Sequence, residues 1–160
     1  MANFYIASSV LRVTEDYLRA WGRKSLESLV LWGGRETAEG DYSVVTCYIP
    51  KQQHLGASVE VEENSMQEIL SQLYHRKQAL VAQVHTHPPG ILHLSDIDRV
   101  RVPIHREGFI HIIVPDYCTR PLDDLLRCLV YEYLREYLWR PLASEEIRER
   151  FIIDDHKVEA

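Results

Sequence analysis

Ala79-Leu80-Val81-Ala82-Gln83-Val84-His85-Thr86-His87-Pro88-Pro89-Gly90 begins as a nearly unbroken apolar run and ends in a turn that neither a strand nor a helix can continue. Such a run predicts a central strand over 79–84, covered on both faces. In an extended chain residues two apart project to the same side, so His85 and His87 present two imidazoles to one point at the strand's end. Farther on, Ser95-Asp96 offers the N-cap of a short helix reaching about Val100, and Asp98 lies on the same face as Ser95. The proline-rich loop lets that helix start fold back over the histidines. Two His and one carboxylate, with a fourth position left for water, form the donor set of a catalytic zinc site.

Each of these residues has an ordinary explanation when taken alone. His85 and His87 can be strand-end histidines bonded to neighbours, Ser95 a plain helix cap and Asp98 a solvated first-turn carboxylate. As a set they are harder to dismiss, because His-x-His-x7-Ser-x2-Asp is expected by chance in roughly one chain per thousand of this length and composition.

Upstream of the central strand, Ser65 to Glu68 has capping-box spacing, and Met66, Ile69, Leu70, Leu73 and Tyr74 form one apolar face, predicting a helix to about Lys77. Lys51 to Glu63 is polar and acidic apart from Leu55 and the Val59/Val61 alternation, which predicts a mobile excursion around a short strand. Leu26 to Trp32, ending at Gly33-Gly34, and Asp41 to Ile49 read as a β-hairpin. Before it, a helix is expected over about 9–23, capped by Ser8 or Ser9, with Val10, Val13, Tyr17, Leu18 and Trp21 on one face.

Downstream, Gly108 to Val114 reads as a strand stopped by Pro115. Over 125–139 the apolar residues repeat every four positions, as in a helix, yet Val130 to Tyr133 and Trp139 suit two strands around Arg135-Glu136 equally well. Ser144-Glu145-Glu146 begins a last short helix to about Phe151. The result is an α+β chain of interspersed elements, and its 160 residues suit one domain spanning 1–160.

Composition narrows the function classes. With 46% hydrophobic and 26% charged residues the chain is globular, and its net charge of −6 disfavours bulk binding to nucleic acid or an anionic membrane. Cys47, Cys118 and Cys128 are odd in number and form no CxxC pair, against both a disulfide framework and a Cys-rich zinc site. None has an activating neighbour visible in the sequence, which leaves a thiol protease unsupported. No signal-like segment opens the chain and no apolar run approaches the ~20 residues of a bilayer span, so a cytoplasmic protein is expected.

The run from His85-Thr86-His87 through Ser95 to Asp98 resembles the motif of the JAMM (JAB/MPN+) metalloproteases, zinc enzymes that cut isopeptide or peptide bonds after ubiquitin-like modifiers. The spacing matches without a gap; Thr86 stands where serine is common and is expected to face away from the metal. That family also carries a glutamate before an apolar strand ending in glycine, and Glu27 in Glu27-Ser28-Leu29-Val30-Leu31-Trp32-Gly33-Gly34 occupies that place. The other glutamates of this region fall in loops: Glu36 and Glu39 after the glycines, and Glu60, Glu62 and Glu63 in the polar excursion.

The likeness extends from the first helix to Val114 and is similar to small bacterial JAB proteins, whose Tyr-x-Tyr and Trp strands and Glu-Glu-Ile helix the tail also matches. It favours a hairpin over 128–142 and implies a JAB/MPN-like fold, a central mixed sheet flanked by helices. It further implies one zinc per chain on His85, His87 and Asp98, Glu27 as the general base and Ser95 as stabiliser of the developing oxyanion. The substrate it implies is a ubiquitin-like protein or its conjugate; the acidic charge balance argues for no nucleic acid or membrane partner, and the oligomeric state stays open. A non-catalytic scaffold of the same fold and a DNA-repair-associated JAB-like domain are the competing readings. His93 is expected to be a solvated loop residue, and His54, His75, His105 and His111 to be structural.

Overall fold

The structure of the protein, a computed structural model, describes residues 1–159. A mixed eight-stranded sheet forms its centre, in the order β10-β1-β3-β2-β6-β7-β8-β9. The strands are β1 (Phe4–Ile6), β2 (Leu29–Glu36), β3 (Tyr42–Tyr48), β6 (Ala79–Thr86), β7 (Ile110–Val114), β8 (Leu129–Arg135), β9 (Leu138–Pro141) and β10 (Phe151–Ile153). A two-stranded ribbon, β4 (Gln52–His54) with β5 (Val59–Val61), stands apart. The helices are α1 (Ser8–Gly22), α2 (Glu63–His75), α3 (Asp96–Val100), α4 (Ser144–Arg150) and α5 (Asp155–Glu159). The α+β architecture with a mixed sheet and flanking helices is as expected, and the apolar run over 79–86 is a central strand between β2 and β7.

Alternation along the strands builds two cores, one on each face. Val30, Trp32, Val84, Ile110 and Ile112 face α1 and the chain's ends, whereas Leu29, Leu31, Phe109, Ile113 and Trp139 face α2 and the 90–105 segment. The second face carries the functional residues.

Several local readings need correction. Neither Ser8 nor Ser9 caps α1; its N-cap is Ala7, and Ser8 instead donates through N and Oγ to the Asp155 carboxylate, 2.8 Å away in both cases. Ser65 does not open α2, which starts at Glu63; its hydroxyl accepts the Lys51 amide at 2.8 Å. Gly33-Gly34 does not end its strand either. A Cβ on Gly34 would lie 2.4 Å from the Ser43 carbonyl oxygen, and one on Gly33 would lie 2.6 Å from the Tyr48 ring, so the pair permits a close approach where β2 bulges. The 51–63 excursion is a paired ribbon around a short turn. Residues 129–141 form a hairpin, whose turn residues Glu136 and Tyr137 both have positive φ (51° and 61°), the backbone twist that suits a two-residue connection. Leu134 and Leu138, part of the four-residue repeat, are solvent-facing on this hairpin.

Candidate metal centre

Antiparallel pairing of β2 with β6 sets Leu29 opposite His85, and the next pair along joins the Thr86 amide to the Ser28 carbonyl at 3.1 Å. Continuing that register puts Glu27 opposite His87, on the face that His85 and Leu29 share. Thr86 takes the other face, where its Oγ1 accepts the Ser28 amide at 3.1 Å. The chain beyond His87 returns through Pro88-Pro89-Gly90 to α3. There Ser95 and Asp98 close a reciprocal capping box: Ser95 Oγ accepts the Asp98 amide at 3.0 Å, and Asp98 Oδ2 accepts the Ser95 amide at 2.9 Å.

The box aims the Asp98 carboxylate at both histidines. Its Oδ2 lies 3.1 Å from His87 Nε2 and its Oδ1 3.5 Å from His85 Nε2. The donor atoms of His85, His87 and Asp98 all fall within 4.8 Å of one another. Each imidazole is tied back through its other nitrogen: His87 Nδ1 donates to the Ile91 carbonyl at 3.0 Å, and His85 Nδ1 lies 2.8 Å from His111 Nε2. His85 Nε2, although buried, has no hydrogen-bond partner. Buried polar atoms are rarely left in this state, and one nitrogen aimed at a second imidazole and a carboxylate is the donor arrangement a divalent cation completes. These residues fit a metal ion.

The electrostatics follow from burial and from the shared carboxylate. Burial pushes the His85 imidazole down to about 4, against the pull of Asp98, so it is neutral at physiological pH, as a ligand must be. Burial also opposes charge on His87, but its bonds to Asp98 and the Ile91 carbonyl, together with the charges of Asp98 and Glu27, outweigh this and raise its pKa. Burial works against the Asp98 carboxylate as well, yet the bonds from His87 and Ser95 and the charge of His85 hold it well below the usual carboxylate range. Glu27 differs: burial raises its carboxyl to about 7, only partly countered by His87. A carboxyl with a pKa near neutrality is suited to taking and giving up a proton.

Glu27, His85, His87, Ser95 and Asp98 line one pocket of about 320 Å³. A second cavity of about 420 Å³ shares Leu29, Val59, Gln83 and Arg101 with it and extends the opening along β5 towards Met66. The β4–β5 ribbon walls this groove. Gln52 pins it to the start of β2, its side-chain amide accepting the Leu29 N–H at 2.9 Å and donating to the Leu29 carbonyl at 3.0 Å. His54 donates from Nδ1 to the Glu27 carbonyl at 2.7 Å while its ring stacks on Trp21 at 3.6 Å. Ser95 Oγ spends only acceptor capacity in its cap, so its hydroxyl proton remains available to the pocket.

The five residues singled out from the sequence therefore share one pocket. His93 is exposed on the motif loop, and His105 bonds the Val100 carbonyl at 2.9 Å. His54 and His111, read from the sequence as structural, touch Glu27 and His85 respectively. For His111 the signal was its strand parity, legible only once β7 is known to lie beside β6. Burial lifts the cysteines, Cys47 and Cys118 to about 11 and Cys128 to about 12, so none is a thiolate near neutral pH.

No protein-family model matches the chain. A Sinorhizobium fredii protein named "Probable metalloprotease y4jG" is 28% identical over 113 residues, covering 68% of each chain. Two proteins solved in solution share the fold. One, from Desulfitobacterium hafniense, has a TM-score of 0.62 at 14% identity over 95% of this chain and 93% of its own. The other, from Salinibacter ruber, has a TM-score of 0.60 at 13% identity over 94% and 92%.

Proposed function

We propose that this chain is a zinc-dependent peptidase of the JAMM type, cleaving a peptide or isopeptide bond at the C-terminus of a ubiquitin-like modifier. The observation that carries the hydrolase reading is the meeting of the His85–His87–Asp98 donor set with a buried, proton-competent Glu27 in one pocket. The probable-metalloprotease name of the Sinorhizobium fredii relative supports the same chemistry.

His85, His87 and Asp98 would hold a zinc ion, which would supply a Lewis acid able to lower the pKa of water to about 7 and polarise a carbonyl. Glu27 takes the proton of the water that attacks the scissile carbonyl carbon, and it returns that proton to the departing amine nitrogen as the C–N bond breaks. Ser95 donates its hydroxyl proton in a hydrogen bond to the carbonyl oxygen as negative charge gathers there. Asp98 keeps its carboxylate fixed through the Ser95 amide, and no acyl-enzyme is formed.

For the substrate, the groove running from the pocket along β5 suits an extended tail that adds its backbone beside a strand. Glu63 on its wall favours a basic residue upstream of the scissile bond, while Glu60 there already pairs with Arg101 at 3.5 Å. The test is a fusion of a bacterial ubiquitin-like protein to a reporter, with short peptides of matched sequence as controls. Cleavage at the modifier's C-terminus that stops with chelator and persists with thiol reagents is expected. Equal cleavage of unrelated peptides would remove the modifier from the proposal and leave the metallopeptidase; absence of chelator-sensitive cleavage altogether would remove both.

A further inference from the structure

The nitrogens around His111 settle where its proton sits. When His85 binds a metal through Nε2, that lone pair is used, and the single proton of the neutral imidazole must be on Nδ1. Nδ1 then can only donate, and the atom it meets at 2.8 Å is His111 Nε2. The Gln83 side-chain nitrogen, itself a donor, lies 3.4 Å from the same atom, which again calls for a bare nitrogen there. The His111 proton is therefore on Nδ1, an atom buried without a hydrogen-bond partner. The His111 ring makes a T-shaped contact with Trp139, with ring centres 5.4 Å apart.

Trp139 leads back to the metal centre from another side. Its indole N–H donates to the Arg99 carbonyl at 3.0 Å, and Arg99 directly follows Asp98 in α3. One buried path thus runs from His85 through His111 and Trp139 to the backbone of the helix that carries Asp98. α3 is five residues long and buries none of them, so it has little packing of its own to hold it.

We propose that His111 and Trp139 are positioning residues for the metal centre: His111 fixes the tautomer and ring direction of His85, and Trp139 fixes the helix that presents Asp98. The inference rests on the metal-centre reading above. A neutral imidazole in this place orients the ligand without adding a third carboxylate to a site that already holds Asp98 and Glu27. Neither residue lines the reaction pocket, so both act through the ligands.

The variants separate orientation from packing. His111→Phe keeps an aromatic ring against Trp139 and removes the acceptor; His111→Gln restores an acceptor at similar reach. Zinc affinity is measured on the full chain by competition with a chromophoric chelator, and the stability of the stripped proteins by thermal unfolding. Wild type is expected to bind one zinc per chain. His111→Phe should bind about 10- to 100-fold more weakly, the usual cost of a lost outer-shell partner, without a lower Tm in the stripped state. His111→Gln should recover most of the affinity. In zinc-loaded wild type, nitrogen-15 spectra should show His85 protonated at Nδ1 and His111 bare at Nε2.

Trp139→Phe keeps the ring contact and loses the bond to Arg99, and should weaken zinc binding several-fold by itself; it also tests the path if His111→Phe fails to fold. Equal zinc affinity in wild type, His111→Phe and Trp139→Phe overturns the proposal, as does a His111→Gln loss as large as that of His111→Phe. A wild-type protein that binds no zinc refutes the metal-centre reading itself, a result distinct from equal affinity among variants.

Discussion

Glu27 and Ser95 show how backbone register selects which side chains can act. Glu27 comes two residues before β2 begins, and it reaches the pocket because antiparallel pairing with β6 carries on past the last strand residue. Glu27→Gln keeps the shape and removes the proton acceptor, so turnover should fall by about 10²- to 10⁴-fold, while zinc content by elemental analysis stays at the wild-type level. Full activity of that variant would pass the base role elsewhere. His87→Ala removes a ligand instead, and dialysis against a mild chelator should strip its metal; retention at the wild-type level would place the site wrongly. Ser95 caps α3 and is proposed as a hydroxyl donor, and two substitutions can separate these duties. Ser95→Ala should cost about 1 kcal/mol of stability through the cap and about 10²-fold in turnover through the hydroxyl. Ser95→Asn, which keeps a capping acceptor but has no hydroxyl, should recover the stability and not the turnover. The grouping of His85, His87 and Asp98 was legible in the sequence because ligand chemistry restricts residue type and spacing, whereas Glu27 was singled out by the resemblance of its strand to a known motif. His111 was not, since a lone histidine in an apolar strand gives no sign of which neighbour it meets.

Among the elements, the ribbon β4–β5 is held by side chains rather than by membership of the main sheet. Gln52 acts as a surrogate strand partner, meeting both backbone groups of Leu29 on the side where β3 no longer pairs. Gln52→Ala leaves those two groups without their partner, at a cost of about 1–3 kcal/mol. The Leu29 amide should then exchange with solvent faster than in wild type, and KM for a tail-bearing substrate should rise more than kcat falls. An equally protected Leu29 amide would show that the ribbon is fixed by other contacts. From the sequence this segment looked like a mobile excursion around a short strand: the Val59/Val61 alternation marks β5, but anchoring through a glutamine side chain leaves no pattern to detect. The 129–141 hairpin was ambiguous for the opposite reason. Its leucines and aromatics satisfy a four-residue repeat, so the residues alone left it open and the resemblance favoured the hairpin; the turn at Glu136-Tyr137 and the burial of Trp139 on the second face supply the physical reason.

On the scale of the whole molecule, the two ends of the chain close the sheet on each other, and no local pattern announces it. β1 pairs in parallel with β10, Asp155 holds the start of α1, and Phe4 stacks on Phe151 at 4.7 Å. Phe151 ends a helical pattern in the sequence, and its role as a strand residue depends on a partner nearly the full length of the chain away. An ion cluster fastens α4 beneath this closure: Arg150 bonds Glu132 at 2.7 Å and Glu146 at 2.9 Å, and Arg140 meets the same two carboxylates at 3.0 and 2.6 Å. Burial pushes the Glu132 carboxyl up, but the two guanidinium groups outweigh it and hold it below its ordinary value. The Arg140 bond, reinforced by Arg150, holds Glu146 at about 2. A carboxyl whose pKa is depressed by folding adds stability that is complete above the unfolded value, about 4.3 for glutamate, and is lost as pH falls through the folded value. The cluster's contribution should therefore be constant above about pH 5 and decline from there towards pH 2. Glu132→Gln removes one of the two carboxylates that pair with the buried Arg150 and should cost about 2 kcal/mol at pH 7 by denaturant unfolding. The cost of Glu146→Gln should shrink as pH is lowered from 5 to 2.5, because over that interval the unfolded chain's carboxyl takes up a proton that the folded one, held at about 2, does not. Comparing each variant with wild type at the same pH cancels the acid release of metal, which affects both chains alike. A Glu146→Gln difference that stays flat over this interval would show that the arginines do not hold the carboxylate, and that α4 is secured by the packing of Ile147 and Phe151 instead.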